Sequence, residues 1–168
     1  MSREVRCVPP GWVHPKNERG RYIPLLTDFK KYVEQWDLGK IKWEQGMKWD
    51  FMNDVWIPKD EEDAFMSYPH SEGERPRPED YMPEWSPEEC THLQMYETCS
   101  EGTPISPVLS SPEILAHWLA DNRASAFGDM TATYEQWLHT IKLGWAPSAI
   151  SGGGTLMSGV EAISKAAS

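Results

Sequence analysis

Hydrophobic and polar positions follow regular patterns over residues 91–150, and these patterns define the predicted core of the fold. Residues 92–99 alternate, with Leu93 and Met95 on one face and mostly polar side chains on the other, which is the period of a β-strand. After a Ser-Glu-Gly turn, residues 103–109 form a second extended run. Because its two prolines have no N–H to donate to a ladder, we predict that this strand lies at a sheet edge or is irregular.

The first core helix has a clear start signal. Either Ser110 and Glu113 form a capping box, or Ser111 is the N-cap with Pro112 at the first helical position. We predict that the helix ends at Asn122. Its buried face is predicted from one helical stripe of apolar residues: Ile114, Leu115, Trp118 and Leu119.

A second core helix repeats this logic. Thr133 and Gln136 match a capping box, and Gly144 is placed for a left-handed stop. The predicted buried stripe is Tyr134, Trp137, Leu138 and Ile141. Residues 145–150 and 155–157 are predicted to be short strands flanking a Gly-rich turn. Two hairpins around two helices predict an α+β fold, a small antiparallel sheet with two capped helices on one face.

Outside this core the pattern is weaker. Residues 1–26 contain several prolines that forbid a continuous helix, so we predict an extended N-terminal strap. Asp28 is a candidate cap for a helix over residues 27–37, and residues 40–56 are a less regular candidate for another helix. The predicted organisation is one compact domain in four segments: 1–57 strap and helical segment, 58–89 acidic Pro-rich connector, 90–158 α+β core, and 159–168 a frayed or weakly helical tail.

Charge and tryptophan content suggest binding to another macromolecule. Of the net charge of −10, residues 58–89 carry −8, from eleven acidic and three basic residues. This charge opposes binding to nucleic acid or an anionic membrane and favours a basic partner. Four of the nine tryptophans lie within residues 36–56; buried core is the commoner role for such residues, and a partner surface is the alternative. The candidate partner-binding residues are Asp60, Glu61, Glu62, Asp63, Glu72, Glu74, Glu79, Asp80, Trp49, Trp56 and Trp85.

Candidate chemistry is sparse. A metal site would have to use Cys90, His92, Cys99 and His70, but Cys-x-His is not a usual zinc spacing and the chain has no Cys-x-x-Cys pair. Cys99 could be an exposed nucleophile, but no His and acid partners are marked for it. His117 and His139 fall inside the predicted helices, and the Gly152-Gly153-Gly154 run lacks the other elements of a phosphate loop. We therefore predict no enzyme, no metal and no cofactor.

Several sequence runs resemble a known family. The opening MSREVR followed by VP, and the later runs YETCSEGTPISPV, WLADNRASAFG and TATYEQWL, are similar to a family of small bacteriophage and prophage proteins. Longer members carry a Cys-x-x-Cys zinc-ribbon-like insert that is missing from this sequence, and members tend to have Thr or Ser at the position of Cys99. The resemblance brings no activity that carries over residue by residue, but small acidic phage proteins are often inhibitors of host machinery, anti-CRISPR proteins among them.

These observations lead to one main hypothesis and two alternatives. The main hypothesis is a phage-encoded interaction protein that inhibits a host defence complex, with a CRISPR effector as the suspected partner and a basic nucleic-acid-binding surface as its target. The alternatives are a phage structural or assembly factor and a small enzyme that uses Cys99 or a histidine. The expected location is the cytoplasm of the infected bacterial host. Three cysteines cannot all pair with one another, which favours reduced thiols. The sequence also shows no apolar run long enough to span a membrane and no recognisable secretory signal.

Overall fold

A computed structural model describes residues 2–98, 102–152 and 155–166 of the chain. The chain divides into two compact units: unit 1 comprises Met1–Leu25 and Glu84–Ser168, and unit 2 comprises Leu26–Pro83. These boundaries differ from the predicted segments, because most of the acidic connector belongs to the same unit as the helical segment before it.

The secondary structure combines short strands and short helices. The strands are β1 (Arg3–Val8), β2 (Met47–Asp50), β3 (Val55–Pro58), β4 (His92–Glu97), β5 (Thr103–Pro104), β6 (Trp145–Ala146), β7 (Ala149–Gly152) and β8 (Thr155–Ser158). The helices are α1 (Phe29–Glu44), α2 (Tyr68–Glu72), α3 (Pro112–Asp121), α4 (Tyr134–Leu143) and α5 (Gly159–Ala166), with single 3₁₀ turns at Asp63–Phe65 and Pro78–Asp80.

Unit 1 is built on a four-stranded antiparallel sheet in the order β5-β4-β1-β6. The N-terminal segment begins as β1, a central strand with Val5 opposite Met95 and Cys7 opposite Leu93. The predicted extended conformation is therefore confirmed at the start of residues 1–26, whereas the pairing of this segment inside the sheet was not predicted. β5 is the two-residue edge strand that its proline predicts. β7 and β8 form a separate hairpin.

Helices α3, α4 and α5 supply the core of unit 1, and the α+β prediction is confirmed. Met95, Leu115, Trp137 and Val160 are fully buried in one cluster. Since Val160 lies in α5, the beginning of the predicted frayed tail is part of that core.

The caps follow the sequence signals. Ser111 accepts a hydrogen bond from the N–H of Ile114, which selects the second of the two predicted starts for α3. In α4, Thr133 and Gln136 form the predicted capping box, and Gly144 ends the helix with φ 92°.

The buried face of α3 is rotated relative to the prediction. Leu115 and Leu119 are buried together with Ala116, whereas Ile114 is 48% exposed and Trp118 is only half-buried. The small side chain of Ala116 carries little hydrophobic signal in the sequence, and its burial shifts the face by one position.

Unit 2 joins helix α1 to the β2–β3 hairpin. The helix continues through Gly39 to Glu44, and Gly46, with φ 82°, turns the chain into β2. The prediction of a helix over residues 40–56 is therefore wrong beyond Glu44. Asp28 precedes α1 in a left-handed conformation, φ 62°, and its carboxylate accepts no capping hydrogen bond from any described residue, so the predicted cap is also wrong.

Candidate functional site

A cavity of about 660 Å³ opens in unit 2 between α1, α2 and the β2–β3 hairpin. We call it the aromatic groove. Its aromatic lining is Tyr32, Trp36, Trp43, Trp49, Phe51, Trp56 and Tyr68, and its charged lining is Lys48, Asp54, Glu72 and Glu74. Its volume is within the usual range for ligand-binding clefts.

One wall of the groove is a single face of α1. Tyr32, Trp36 and Trp43 follow helical spacing, and Gly39 lies on the same face between them. The ring of Tyr68 packs against Trp36 and Trp43, with centroid distances of 5.2 and 5.8 Å. A Cβ atom on Gly39 would lie 1.8 Å from the hydroxyl oxygen of Tyr68, so only glycine allows this packing.

The facing wall is a pair of tryptophans across the hairpin. Trp49 and Trp56 are opposite one another in the β2–β3 register, and their rings meet edge to face with centroids 5.0 Å apart. Both are half-buried. At the hairpin turn, Phe51 and Met52 are 76% and 91% exposed, which leaves a large apolar tip beside the groove.

The tryptophans of the groove differ in role. Trp43 is buried, and its indole N–H donates to the carbonyl of Met66 at 3.1 Å. The indole of Trp36 donates to the carbonyl of Gly73 at 3.0 Å. These two rings fasten α1 to the chain around α2, whereas Trp49 makes its ring contact within the hairpin itself. The sequence left two roles open for these tryptophans, core and partner surface. In unit 2, Trp43 is a core residue, whereas the other three are half-buried groove residues: Trp36, Trp49 and Trp56.

Two of the predicted partner-binding acids hold a lysine of the same unit. The ammonium of Lys48 donates to Asp60 and contacts Asp63, with Nζ 2.6 Å from a carboxylate oxygen of each. The hydrogen bond from Lys48 lowers the pKa of Asp60 to about 2, and the two carboxylates raise the pKa of Lys48. Asp63 is only 7% exposed, so it is a structural residue of unit 2 and not part of its outer surface.

The other predicted acids fall into two groups. Asp80 accepts hydrogen bonds from Arg77 at 3.0 and 3.1 Å, and Glu79 lies 3.7 Å from the same guanidinium. The remaining four are exposed, and among the described residues none of them forms an ion pair: Glu61, Glu62, Glu72 and Glu74.

The predicted tryptophans are divided between the two units. Trp85 belongs to unit 1, where its ring packs edge to face on Trp12 at a centroid distance of 4.9 Å. Sequence reasoning missed Tyr68 and Asp54 as groove residues. The signal for Tyr68 was Gly39 inside a helix, which marks the close approach of another side chain.

Unit 1 has a second cavity, of about 530 Å³, beside a buried polar network. The hydroxyl of Tyr96 is 3.1 Å from both Trp12 Nε1 and His14 Nδ1, and it donates to Gln94 at 2.9 Å. The guanidinium of Arg6 lies 4.2 Å above the Tyr96 ring. Burial, reinforced by the charge of Arg6, lowers the pKa of His14 despite its hydrogen bond to a backbone carbonyl. These groups bind one another and hold residues 9–25 on the sheet.

The structure describes only some of the candidate catalytic residues. Cys99 lies outside the described residues. Cys7 donates its thiol to the carbonyl of Cys90 at 2.8 Å, and His117 stacks on Tyr134 with centroids 4.1 Å apart. Within the ranges that the structure describes, no group of three or more His, Cys, Asp or Glu side chains could hold a metal ion.

Within those same ranges, none of the helices has the length and apolar character needed to cross a membrane. Comparison of the chain with models of known families, with curated proteins and with solved structures finds no match. The resemblance to phage proteins therefore stays a prediction.

Proposed function

We propose that this chain is a phage-encoded interaction protein that binds a basic surface of a host defence complex, with a CRISPR effector as the leading candidate. The observation that carries the proposal is the aromatic groove of unit 2 with its exposed carboxylates. Protein-binding surfaces are enriched in aromatic residues at their centre and carry a polar rim, a composition that the groove shares.

The charge of unit 2 supports a basic partner. Residues 26–83 contain fourteen acidic and eight basic side chains, a net charge of −6. Several of the basic side chains are already engaged, since Arg75 pairs with Asp37 at 2.8 Å and Lys48 is held by two carboxylates. A negative surface of this kind steers a positively charged partner towards it and repels nucleic acid.

The exposed apolar side chains support a stable contact after that encounter. Phe51, Met52 and Phe65 are 76%, 91% and 95% exposed, and all three belong to unit 2. Burial of a large apolar side chain contributes about 1.5–3 kcal/mol. Steering by charge followed by burial of a few large side chains is therefore the binding mode that we propose.

The test is protection of a phage in a host that carries a CRISPR system directed against it. We expect the wild-type chain to raise the plating efficiency of that phage and to co-purify with a subunit of the effector. A quadruple variant loses four negative charges without a change of shape: Glu61→Gln, Glu62→Gln, Glu72→Gln and Glu74→Gln. It should lose most of the gain in plating efficiency and most of the co-purification with the effector. The matched control loses four exposed negative charges in unit 1 and should behave as wild type: Glu18→Gln, Glu113→Gln, Asp121→Asn and Asp129→Asn.

Two outcomes would count against the proposal. One is unchanged plating efficiency together with no effector subunit in the purified material. The other is stoichiometric presence of the chain in purified virions, which would favour the structural or assembly factor instead.

A further inference from the structure

The indole rings of the aromatic groove are not equally covered by cations. The ammonium of Lys59 lies 4.4 Å from the centroid of the Trp43 ring, a close cation–π contact within unit 2. Among the described residues, no lysine or arginine lies over Trp49 or Trp56 in the same way. Indole is the aromatic ring that binds cations best, so the hairpin pair offers indole surface to a cationic ligand.

The carboxylates of the groove likewise have no cation partner among the described residues. Asp54, Glu72 and Glu74 line the cavity, and none of them forms an ion pair within the part of the chain that the structure describes. Glu72 accepts one hydrogen bond, from the hydroxyl of Ser71 at 3.1 Å. The one lysine of the lining, Lys48, has its charge matched by two carboxylates outside the lining. The cavity therefore combines apolar walls with a local excess of negative charge.

From this combination we infer that the aromatic groove accepts an arginine side chain from a basic segment of the partner, with the guanidinium on Trp49 and Trp56 and within reach of the carboxylates. The inference rests on the proposed function and names the group that this surface recognises. Arginine fits better than lysine because the guanidinium is planar, weakly hydrated and able to stack on a ring while it donates to carboxylates. The cavity of about 660 Å³ is large enough for the neighbouring side chains of such a segment as well.

The probes for this inference are three five-residue peptides, acetylated and amidated, with a central arginine, citrulline or lysine between two leucines. Citrulline keeps the shape of arginine and removes its charge. The chain is labelled with 5-fluorotryptophan, and the fluorine signals of Trp49 and Trp56 are assigned with Trp→Phe variants. We expect the arginine peptide to shift these two signals saturably and to bind about ten-fold or more tightly than the citrulline peptide, with lysine between them.

Matched variants separate the groove from the rest of the chain. Trp56→Leu and the double substitution Glu72→Gln/Glu74→Gln should each weaken binding of the arginine peptide by about ten-fold. Trp145→Leu, at a tryptophan of unit 1 that is 59% exposed, should leave it unchanged. The glutamine substitutions are exposed and isosteric, so they test the inference even if Trp56→Leu disturbs the hairpin.

Equal binding of the arginine and citrulline peptides, tighter binding of lysine, shifts confined to other tryptophans, or the lack of saturable binding would each overturn the inference. Such a failure leaves phage protection and effector capture as separate results. Conversely, selective arginine binding by a chain that protects no phage would keep the inference and overturn the proposed function.

Discussion

Replacement of Gly39 by alanine probes the packing that forms the aromatic groove. The added Cβ would lie 1.8 Å from the hydroxyl oxygen of Tyr68 and 2.6 Å from its ring carbon Cζ. Because Tyr68 packs against both Trp36 and Trp43, the ring cannot retreat without loss of these contacts. Gly39→Ala therefore strains the groove wall at its centre.

The magnitude follows from two opposing terms. Overpacking of a buried position costs about 1–3 kcal/mol, and displacement of the Tyr68 ring would instead sacrifice aromatic contacts worth about 0.5–1.5 kcal/mol each. Alanine in place of glycine inside a helix stabilises the helix by about 1 kcal/mol, which opposes this loss. We expect a net loss of about 1 kcal/mol of unfolding free energy for unit 2, a fall of about 4–8 °C in Tm for a domain of this size.

Urea and thermal denaturation, followed by tryptophan fluorescence, measure this loss. Gly11→Ala is the control, because a Cβ at that position would meet no atom within 4 Å. In a Tyr68→Ala background the steric clash is gone, so Gly39→Ala should there become stabilising by about 1 kcal/mol, and the double-mutant cycle should show a clear coupling. If Gly39→Ala stabilises the wild-type chain as much as it stabilises the Tyr68→Ala chain, the reasoning is refuted.

Three further predictions concern unit 1. Gly159→Ala places a Cβ 1.9 Å from the backbone oxygen of Pro147, so the urea midpoint should fall by the equivalent of about 2 kcal/mol or more, and an unchanged midpoint would contradict this close contact. Arg3→Met removes the hydrogen bonds from a buried guanidinium to the carbonyl and hydroxyl of Ser125, at 2.8 and 3.1 Å. It also leaves the largely buried carboxylate of Glu97, 3.7 Å from that guanidinium, without its cation, so it should cost about 3–5 kcal/mol in chemical denaturation. A cost below 1 kcal/mol would show that the buried charge is dispensable. The pKa of His14 is lowered in the folded chain, so below about pH 6.5 the unfolded chain binds a proton that the folded chain does not. The unfolding free energy should therefore fall as the pH drops from about 6.5 to the folded pKa of His14. His14→Gln should flatten that slope.

Local signals in the sequence were sufficient to predict helices α3 and α4 of unit 1. The Thr133–Gln136 capping box and the Gly144 stop depend on residues close in the chain, and the structure contains both. The same locality explains the correct placement of β5 at a sheet edge, because the absence of an N–H on proline does not depend on tertiary context.

Strand β1 was missed because its buried residues are not all hydrophobic. Arg3 is fully buried and Arg6 is 7% exposed, so a pattern of hydrophobic and polar letters places both on the surface. Their partners are distant in the chain: Arg3 donates to Ser125, and Arg6 donates to the carbonyl of Leu25 at 2.9 Å. Burial that depends on such partners has no local signature.

Only part of the aromatic groove could be predicted from the sequence, for a similar reason. Trp49 and Trp56 are seven residues apart, a spacing that also fits one face of a helix, and the prediction chose the helix. The hairpin is specified by Gly46 in a left-handed conformation and by Asp50, whose carboxylate accepts hydrogen bonds from the turn residues that follow it. The wall formed by Tyr68 comes from the acidic connector, which lacked any periodic pattern.

The most direct test of the central claim is hydrogen–deuterium exchange of the chain alone and in complex with the effector captured from a CRISPR-bearing host. The account predicts that binding slows exchange in β2, β3 and α2, which frame the aromatic groove, and that this protection weakens when Glu61, Glu62, Glu72 and Glu74 are replaced by glutamine. Protection confined to unit 1, or failure to capture any effector subunit with the wild-type chain, would contradict it.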